Sequence, residues 1–318
     1  MNNSILARKE YINFILFLIL ALVWSGSFIN IKVVVDLFPP VFCAMVRVFI
    51  SLLCLSLLFA MRGKLSFSLP KKCWQLWLAG LLAQSLPFFF LFIGEQYIAP
   101  AFASIINSTV SIWALILGTL IFRDLSQWTP VKVAGVFLGF AGIILIFSPL
   151  LHGSENSLFG FYSVMAMAIS YALGALMNQH VIFKKVRVSF ETNLIQQHLA
   201  SVLFLLVSSL SFETWPSWAA FFNGQALLSF LYLGLLATAL AYIFYFYLIR
   251  EWGAVRAASV MYLVPVLAIV WDLLFLQIVP THQELLGMAA ILTGVTLIQW
   301  VRAPKKAVLI KAEAETSS

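Results

Sequence analysis

The stretch GVFLGFAGIILI at residues 135–146 recurs in altered form as GMAAILTGVTLI at residues 287–298. Each copy places two glycines seven residues apart, follows the second glycine with a β-branched residue and ends on Leu-Ile. A pattern that returns about 150 residues later indicates an internal duplication. The sequence therefore predicts a fold made of two related halves.

The composition indicates that lipid, rather than water, surrounds most of this chain. Of its 318 residues, 63% are hydrophobic and only 10% are charged, whereas soluble domains carry about 25% charged residues. A soluble fold of this length has too little interior to bury so much apolar surface. The sequence therefore predicts an all-α integral membrane protein, in which each crossing takes about 20 residues. The net charge of +7 is attributed to orientation in the membrane, and no nucleic-acid partner is expected.

Ten apolar runs divide the chain, each bounded by charges, prolines or a polar turn. The fifth and tenth runs are the shortest, and only a short polar interruption separates the eighth from the ninth. The predicted spans are 13–35, 41–61, 74–97, 101–122, 132–147, 158–183, 192–212, 227–250, 254–276 and 284–301.

Lysine and arginine are distributed unequally between the predicted loops. Cytoplasmic loops of membrane proteins are enriched in these residues. With the N-terminus inside, seventeen of the nineteen basic residues fall in inner loops or the C-terminal tail, and the outer loops hold none. The other two, Lys32 and Arg47, lie within predicted spans. This distribution predicts ten spans and cytoplasmic termini.

Five spans per half is an odd number, so the second half must enter the membrane from the opposite side. The predicted fold is therefore ten transmembrane helices arranged as two inverted five-helix repeats. The expected division is residues 1–150 for the first repeat, 151–303 for the second and 304–318 for a cytoplasmic tail. Inverted repeats of this kind are common in secondary carriers, whose substrate site lies near the bilayer midplane between the halves.

Several stretches carry a resemblance to a known family. They are ALVWSGSFINIK at 21–32, MVRVFISLL at 45–53, the region from APAFASIINST to GFAGIILI at 99–146, the region from LGLLATALAYIF to WDLLFL at 233–276, and ELLGMAAILTGVTLI at 284–298. Together they cover nearly the whole chain. The chain resembles the drug/metabolite transporter superfamily, specifically its EamA-type ten-helix members.

This resemblance implies a secondary transporter of a bacterial inner membrane that moves amino acids or related metabolites, most commonly outward. The chain departs from the family pattern at two points. The family ends its fourth and ninth spans with Gly-Glu, whereas here Asp124 lies near the first position and the second copy has no acid. The family proline of the ninth span is present as Pro265, but the first copy has Val110. A mechanism that depends on those family acids therefore does not transfer to this chain.

Ionisable residues inside membrane spans are candidate functional residues, because each costs a few kcal/mol near the bilayer centre. Arg47 is expected to serve function or a structural ion pair, and Asp272 either proton coupling or such a pair. Glu95 is a candidate for coupling or charge pairing, with the alternative that it reaches the interface. His198 lies about two turns inside its span and belongs to a residue type that titrates near neutral pH; packing is the alternative.

Polar and aromatic residues near the predicted midplane form a second candidate set. A site for an organic solute needs a few placed polar groups in a mostly apolar, aromatic lining. Each residue on its own is explained equally well by packing between helices. The set predicted to bind substrate is Trp24, Gln84, Asn107, Tyr171, Tyr242 and Tyr262.

The sequence thus predicts a carrier working by alternating access, with a small-molecule substrate, the lipid bilayer and protons as partners. It predicts no catalytic residue, metal or cofactor, and nothing in it has the glycine-rich, lysine-containing form of an ATP-binding loop. The oligomer is expected to be a monomer or homodimer. Alternatives are an uptake carrier or exchanger for a larger or nucleotide-like solute and, in other classes, a membrane-embedded enzyme or a scaffold.

Overall fold

A computed structural model describes residues 2–65, 73–123, 128–147, 155–182, 186, 188–217, 223–252 and 260–300. Every regular element among these residues is helical. The α-helices are α1 Asn2–Val35, α2 Pro40–Met61, α3 Cys73–Gly80, α4 Leu86–Glu95, α5 Pro100–Asn107, α6 Val110–Phe122, α7 Pro130–Phe147, α8 Glu155–Met177, α9 Phe190–Phe212, α10 Gly224–Leu231, α11 Ala241–Trp252, α12 Val260–Trp271 and α13 His282–Trp300.

The protein is a multi-pass membrane protein. Seven helical stretches of the described chain are long and apolar enough to cross a bilayer, and three shorter apolar helices lie at Pro130–Leu145, Leu263–Leu276 and His282–Ile298. Large apolar side chains such as Phe137 and Leu228, about 70% exposed, cover its surface, as expected where lipid replaces water. The all-helical membrane fold is thereby confirmed, whereas the count of ten spans stays a prediction.

The duplicated glycine stretch packs against its own copy. A Cβ atom added to Gly135 would lie 2.6 Å from the carbonyl oxygen of Gly294, and one added to Gly142 would lie 2.6 Å from that of Gly287. Only glycine permits this backbone approach between α7 and α13. Because early residues of one helix meet late residues of the other, the two helices run antiparallel. Each contact becomes the other when the copies are exchanged, as an inverted repeat requires.

Short π-helical segments interrupt several helices of the described chain, at Leu81–Ser85, Asn178–Ile182, Tyr232–Leu240 and Asp272–Leu276. Widening a helix in this way frees backbone carbonyls that neighbours must satisfy inside a membrane. Ser201 of α9 donates to the carbonyl of Gly80 at 3.2 Å, and Ser170 of α8 donates to that of Leu82 at 2.9 Å. The second half therefore supports the break between α3 and α4 of the first half.

Helices of the two halves pack extensively against one another. Helix α2 contacts α9 and the π-helical segment Tyr232–Leu240, while α1 contacts α12 and α11. The largest hydrophobic cluster contains buried residues from both halves, among them Phe92 and Leu205. Groups from both halves therefore meet in the interior, where the predicted site residues are found.

Candidate functional site

Arg47 lies in the interior of the protein with only part of its guanidinium engaged. The side chain is 4% exposed. Its Nε donates to Thr238 Oγ1 at 2.8 Å and its Nη2 to the Ala237 carbonyl at 3.4 Å, both in the π-helical segment Tyr232–Leu240. The guanidinium carbon lies 4.2 Å from the centroid of the Phe88 ring, a cation–π distance. Nη1 has no hydrogen-bond partner, so one donor group of a firmly held cation is left free.

Two of the predicted tyrosines, Tyr171 and Tyr242, lie in the surroundings of Arg47. Tyr171 meets the Phe88 ring edge-to-face at 6.4 Å between centroids. Tyr242 meets the ring of His198 in the same manner at 5.8 Å. Both tyrosines lie close enough to Arg47 to interact with it electrostatically. We call this group the Arg47 cluster, and its members are Arg47, Phe88, Tyr171, His198, Thr238 and Tyr242.

His198 is fully buried and both of its ring nitrogens have partners. Nδ1 lies 2.9 Å from the carbonyl oxygen of Leu194, which can only accept, so Nδ1 carries the hydrogen. Nε2 lies 3.1 Å from Ser51 Oγ, and the hydroxyl can donate to it. These contacts fit a neutral imidazole in one tautomer and one orientation. The two contacts fix the imidazole ring of His198, and Tyr242 packs against that ring.

Glu95, the last residue of α4, is a buried carboxylate without a partner. It is 0% exposed, and neither carboxylate oxygen accepts a hydrogen bond. It does not reach the surface, so the interfacial alternative does not describe it. Leaving a charged group without compensation in the interior is costly. The charged residues near enough to act on it electrostatically are Asp272, Lys32, Arg47 and Asp36.

The amine of Lys32 binds groups other than the carboxylate of Glu95. Its Nζ lies 2.9 Å from Asp36 Oδ1 and donates to the Gln96 carbonyl at 3.4 Å. The side chains of Lys32 and Asp36 are 23% and 55% exposed. This partial exposure fits a lysine that extends towards the membrane interface. The Lys32 amine is therefore held by other groups and not by the oxygens of Glu95.

Asp272 caps a helix of the other half. Its Oδ2 accepts a hydrogen bond from the backbone N–H of Ala101 at 2.9 Å, whereas the N-cap residue Ala99 supplies no side-chain cap. Its Oδ1 has no partner, and the carboxylate borders a pocket of about 20 Å³ that Glu284 also lines. Such a volume holds about one water molecule. One oxygen of Asp272 is thus structural and the other is available.

Glu213 repeats this arrangement at α2, and sequence reasoning missed it. Its two oxygens accept from the backbone N–H groups of Val41 and Phe42, each at 2.7 Å, and Ser209 donates to it at 2.8 Å. Helix α2 begins with Pro40 and has no side-chain cap of its own. In both cases a carboxylate of the second half caps a helix of the first half.

The remaining predicted substrate residues do not all join the Arg47 cluster. Gln84 lies in the π-helical segment Leu81–Ser85 and accepts from Ser201 at 3.4 Å. Trp24 packs instead against Tyr245, with centroids 5.2 Å apart. Asn107 is half-buried at the end of α5. The structure thus separates one predicted set into several locations.

Two of the sequence predictions fall outside the described parts of the structure. Tyr262 belongs to α12, but its side chain is not among those described. Asp124, near the family's glutamate position, also lies outside the described residues.

The polar side chains of Asn178, Gln196 and Gln197 meet near the start of α9, at the opposite end of that helix from Glu213. The amide nitrogen of Gln197 donates to Asn178 Oδ1 at 3.0 Å and to Asn193 Oδ1 at 2.8 Å. Nearby, Trp77 donates to Gln196 at 2.9 Å. These bonds join the π-helical segment Asn178–Ile182 to α9 and α9 to α3, so the amides are accounted for by packing between helices.

Comparison with known proteins places this architecture in a described family. The model of the EamA-like transporter family matches residues 12–148 and again residues 158–300. A solved crystal structure superimposes with a TM-score of 0.63 and 17% identity, covering 92% of this chain and 98% of that chain. At this identity the likeness concerns the fold alone.

Curated relatives span nearly the whole chain. A protein of Escherichia coli (strain K12), named a probable amino-acid metabolite efflux pump, is 26% identical over 94% of this chain and 99% of its own length. A protein of Salmonella typhimurium with the same name is 27% identical over 87% of this chain and 91% of its own. An uncharacterized transporter of Bacillus subtilis (strain 168) is 27% identical over 86% and 92%. The predicted relationship to this class of transporters is confirmed.

Proposed function

Because the chain belongs to the EamA-like transporter family, we propose that it is a secondary transporter exporting an amino acid or a related metabolite by alternating access. We place it in a bacterial inner membrane with both termini in the cytoplasm. The observation that carries the proposal is the Arg47 cluster, in which a buried cation keeps Nη1 free among aromatic rings. Metabolites with a carboxylate are natural partners for such a donor.

The substrate class is supported by the names of two relatives. Both are called probable amino-acid metabolite efflux pumps and align with nearly all of this chain. The export direction is proposed on the same basis.

Alternating access requires contacts between the halves that form in one state and break in the other. The caps that Glu213 and Asp272 provide join the halves on one side of the membrane. We assign them to the closed outer side, where they must separate for the substrate to leave. The π-helical segments Leu81–Ser85 and Tyr232–Leu240 lie beside the Arg47 cluster and supply places where helices can bend.

Asp272 is the proposed residue for proton coupling. One of its oxygens caps α5 while the other has no partner and borders the small pocket. A proton can therefore be taken up at Oδ1 without displacing the hydrogen bond at Oδ2. Protonation removes the negative charge that favours capping of a helix N-terminus. Proton binding would in this way weaken a contact between the halves.

The experiment is a flux measurement with purified protein in liposomes. Labelled amino acids are loaded inside, and their release is followed with and without a pH gradient. We expect release above that from protein-free liposomes for at least one amino acid, and acceleration by the gradient. If no metabolite moves and the protein instead converts a substrate chemically, the transporter proposal for this chain is wrong.

A further inference from the structure

Two buried groups of opposite charge, Arg47 and Glu95, are 4% and 0% exposed. Each has charged atoms without a hydrogen-bond partner, Nη1 in Arg47 and both carboxylate oxygens in Glu95. We propose that together they bind a zwitterionic α-amino acid, with the carboxylate on Arg47 and the ammonium group on Glu95. This inference rests on the proposed function and specifies how its substrate is recognised.

The Arg47 end is prepared for an anion. Thr238 and Ala237 hold Nε and Nη2, and the Phe88 ring lies under the guanidinium plane. These three contacts fix the direction of Nη1, which has no acceptor of its own. A charge-assisted hydrogen bond from a buried guanidinium to a carboxylate is about twice as strong as a neutral one. Arg47 is only 4% exposed, so little water competes for it.

The Glu95 end is prepared for a cation. A carboxylate offers acceptor positions on both oxygens, and an ammonium group offers three donors. The amine of Lys32, which is within electrostatic range of Glu95, is occupied by Asp36 and by the Gln96 carbonyl. Asp272 adds a second negative charge within electrostatic range, which further favours a positive ligand. Nothing among the charged groups around Glu95 supplies the donor that its oxygens lack.

The two charges act on each other electrostatically but are not in contact, since neither Nη1 nor the carboxylate oxygens have a hydrogen-bond partner. A ligand with both charges satisfies both ends and leaves the site neutral. An amine without a carboxylate leaves Nη1 unsatisfied, and an acid without an amine leaves Glu95 unsatisfied. Sites with buried polar groups strongly reject ligands that leave those groups unpaired.

The test measures binding to detergent-purified full-length protein. The twenty proteinogenic amino acids are screened by thermal stabilisation, and the tightest binder is compared with its own amide and with its own deaminated acid. We expect each of these to bind roughly 100-fold or more weakly than the amino acid. Equal affinity for the three compounds overturns the zwitterion inference. So does stabilisation only by solutes that are not zwitterions.

Variants separate recognition from folding. In Arg47→Gln the preference over the amide should fall to within about threefold while the preference over the deaminated acid remains. In Glu95→Gln the preference over the deaminated acid should fall while the preference over the amide remains. The control Lys32→Gln should keep both preferences, because Lys32 contacts Asp36 and Gln96 instead. If Arg47→Gln does not fold, Arg47→Lys replaces it, with the same expected weakening against the amide.

Unchanged preferences in both variants, or the same loss of both preferences in each, contradict the assignment of the two ends. The flux measurement tests the zwitterion inference separately from the proposed transport function. Amino-acid flux with no zwitterion preference refutes this inference alone, whereas absence of any metabolite flux refutes the proposed function.

Discussion

The carboxylate of Asp272 accepts a hydrogen bond from the backbone N–H of Ala101, 171 residues away, at 2.9 Å. The first N–H groups of a helix have no intrahelical acceptor, and the helix dipole favours a negative charge beside them. Glu213 does the same for α2 at 2.7 Å. Each of these first-half helices thus depends on a second-half carboxylate for its cap. These contacts connect the stability of the fold with the movement that we propose.

Replacing Glu213 with Ala should destabilise the protein and expose the region around the start of α2. The change removes two hydrogen bonds to the start of α2 and one from Ser209, and loss of a cap costs about 0.5–2 kcal/mol. Cys43, one turn into α2 and fully buried, is a natural reporter. In a protein with Cys54 and Cys73 replaced by Ser, a membrane-impermeant maleimide should label Cys43 faster in Glu213→Ala. The milder Glu213→Gln retains an acceptor and should lie between. Equal labelling rates in the parent protein, Glu213→Ala and Glu213→Gln would contradict the proposal that the Glu213 cap holds the outer side closed.

Asp272→Asn separates proton coupling from capping. Asn is neutral, like the protonated carboxyl, but keeps an acceptor oxygen for the Ala101 N–H, so Asp272→Asn loses the titratable group and retains part of the cap. We expect stimulation by a pH gradient to disappear and exchange of internal for external substrate to continue. Asp272→Ala, which loses the cap as well, should lower the Tm. Gradient stimulation that survives in Asp272→Asn would exclude Asp272 as the coupling residue.

Gly135→Ala should destabilise the pair formed by α7 and α13. The added Cβ would lie 2.6 Å from the Gly294 carbonyl oxygen, so the helices must separate, at a cost of about 1–3 kcal/mol. The matched control is Gly224→Ala, where an added Cβ meets nothing within 4 Å. A lower Tm is expected for the first variant and not for the second. Indistinguishable Tm values would mean that the close approach has no energetic importance.

Thr238→Val should weaken transport without unfolding the protein. The change leaves Arg47 Nε without its acceptor, and a hydrogen bond to a charged group contributes about 1.5–3 kcal/mol. As Thr238 positions the guanidinium, we expect KM to rise by about tenfold to a hundredfold in protein that still folds, with a Tm lowered by the unsatisfied Nε. Thr293→Val is the control, because Thr293 is exposed and bonds only within its own helix. An unchanged KM in Thr238→Val would show that Arg47 needs no such support.

The sequence was sufficient to predict features that depend on composition and periodicity. The glycine duplication predicted two related halves, and the structure places Gly135 against Gly294 and Gly142 against Gly287. The predicted spans agree with the helices to within a few residues at most ends. These features follow from local physical requirements: apolar length for crossing lipid, and small residues for close helix approach.

Contacts between distant residues could not be read from the sequence. Glu213 follows α9 in a loop, and no local pattern indicates that it reaches the start of α2. Phe88 stands in the run FFFLF, where nothing local distinguishes it from its neighbours, and it packs in the core beneath Arg47. The only local signals were Pro40 and Pro100 at helix starts that lack a side-chain cap. The free N–H groups at such positions require an acceptor from elsewhere, but the sequence does not say from where.

The most direct test of the account is counterflow of labelled amino acids into liposomes preloaded with the unlabelled compound. It compares the wild type with Arg47→Gln at matched amounts of folded protein. We predict accumulation of at least one amino acid by the wild type and a decrease of about tenfold or more in the variant. Equal accumulation by both proteins, or no accumulation of any metabolite by the wild type, would contradict the assignment of amino-acid transport to the Arg47 cluster.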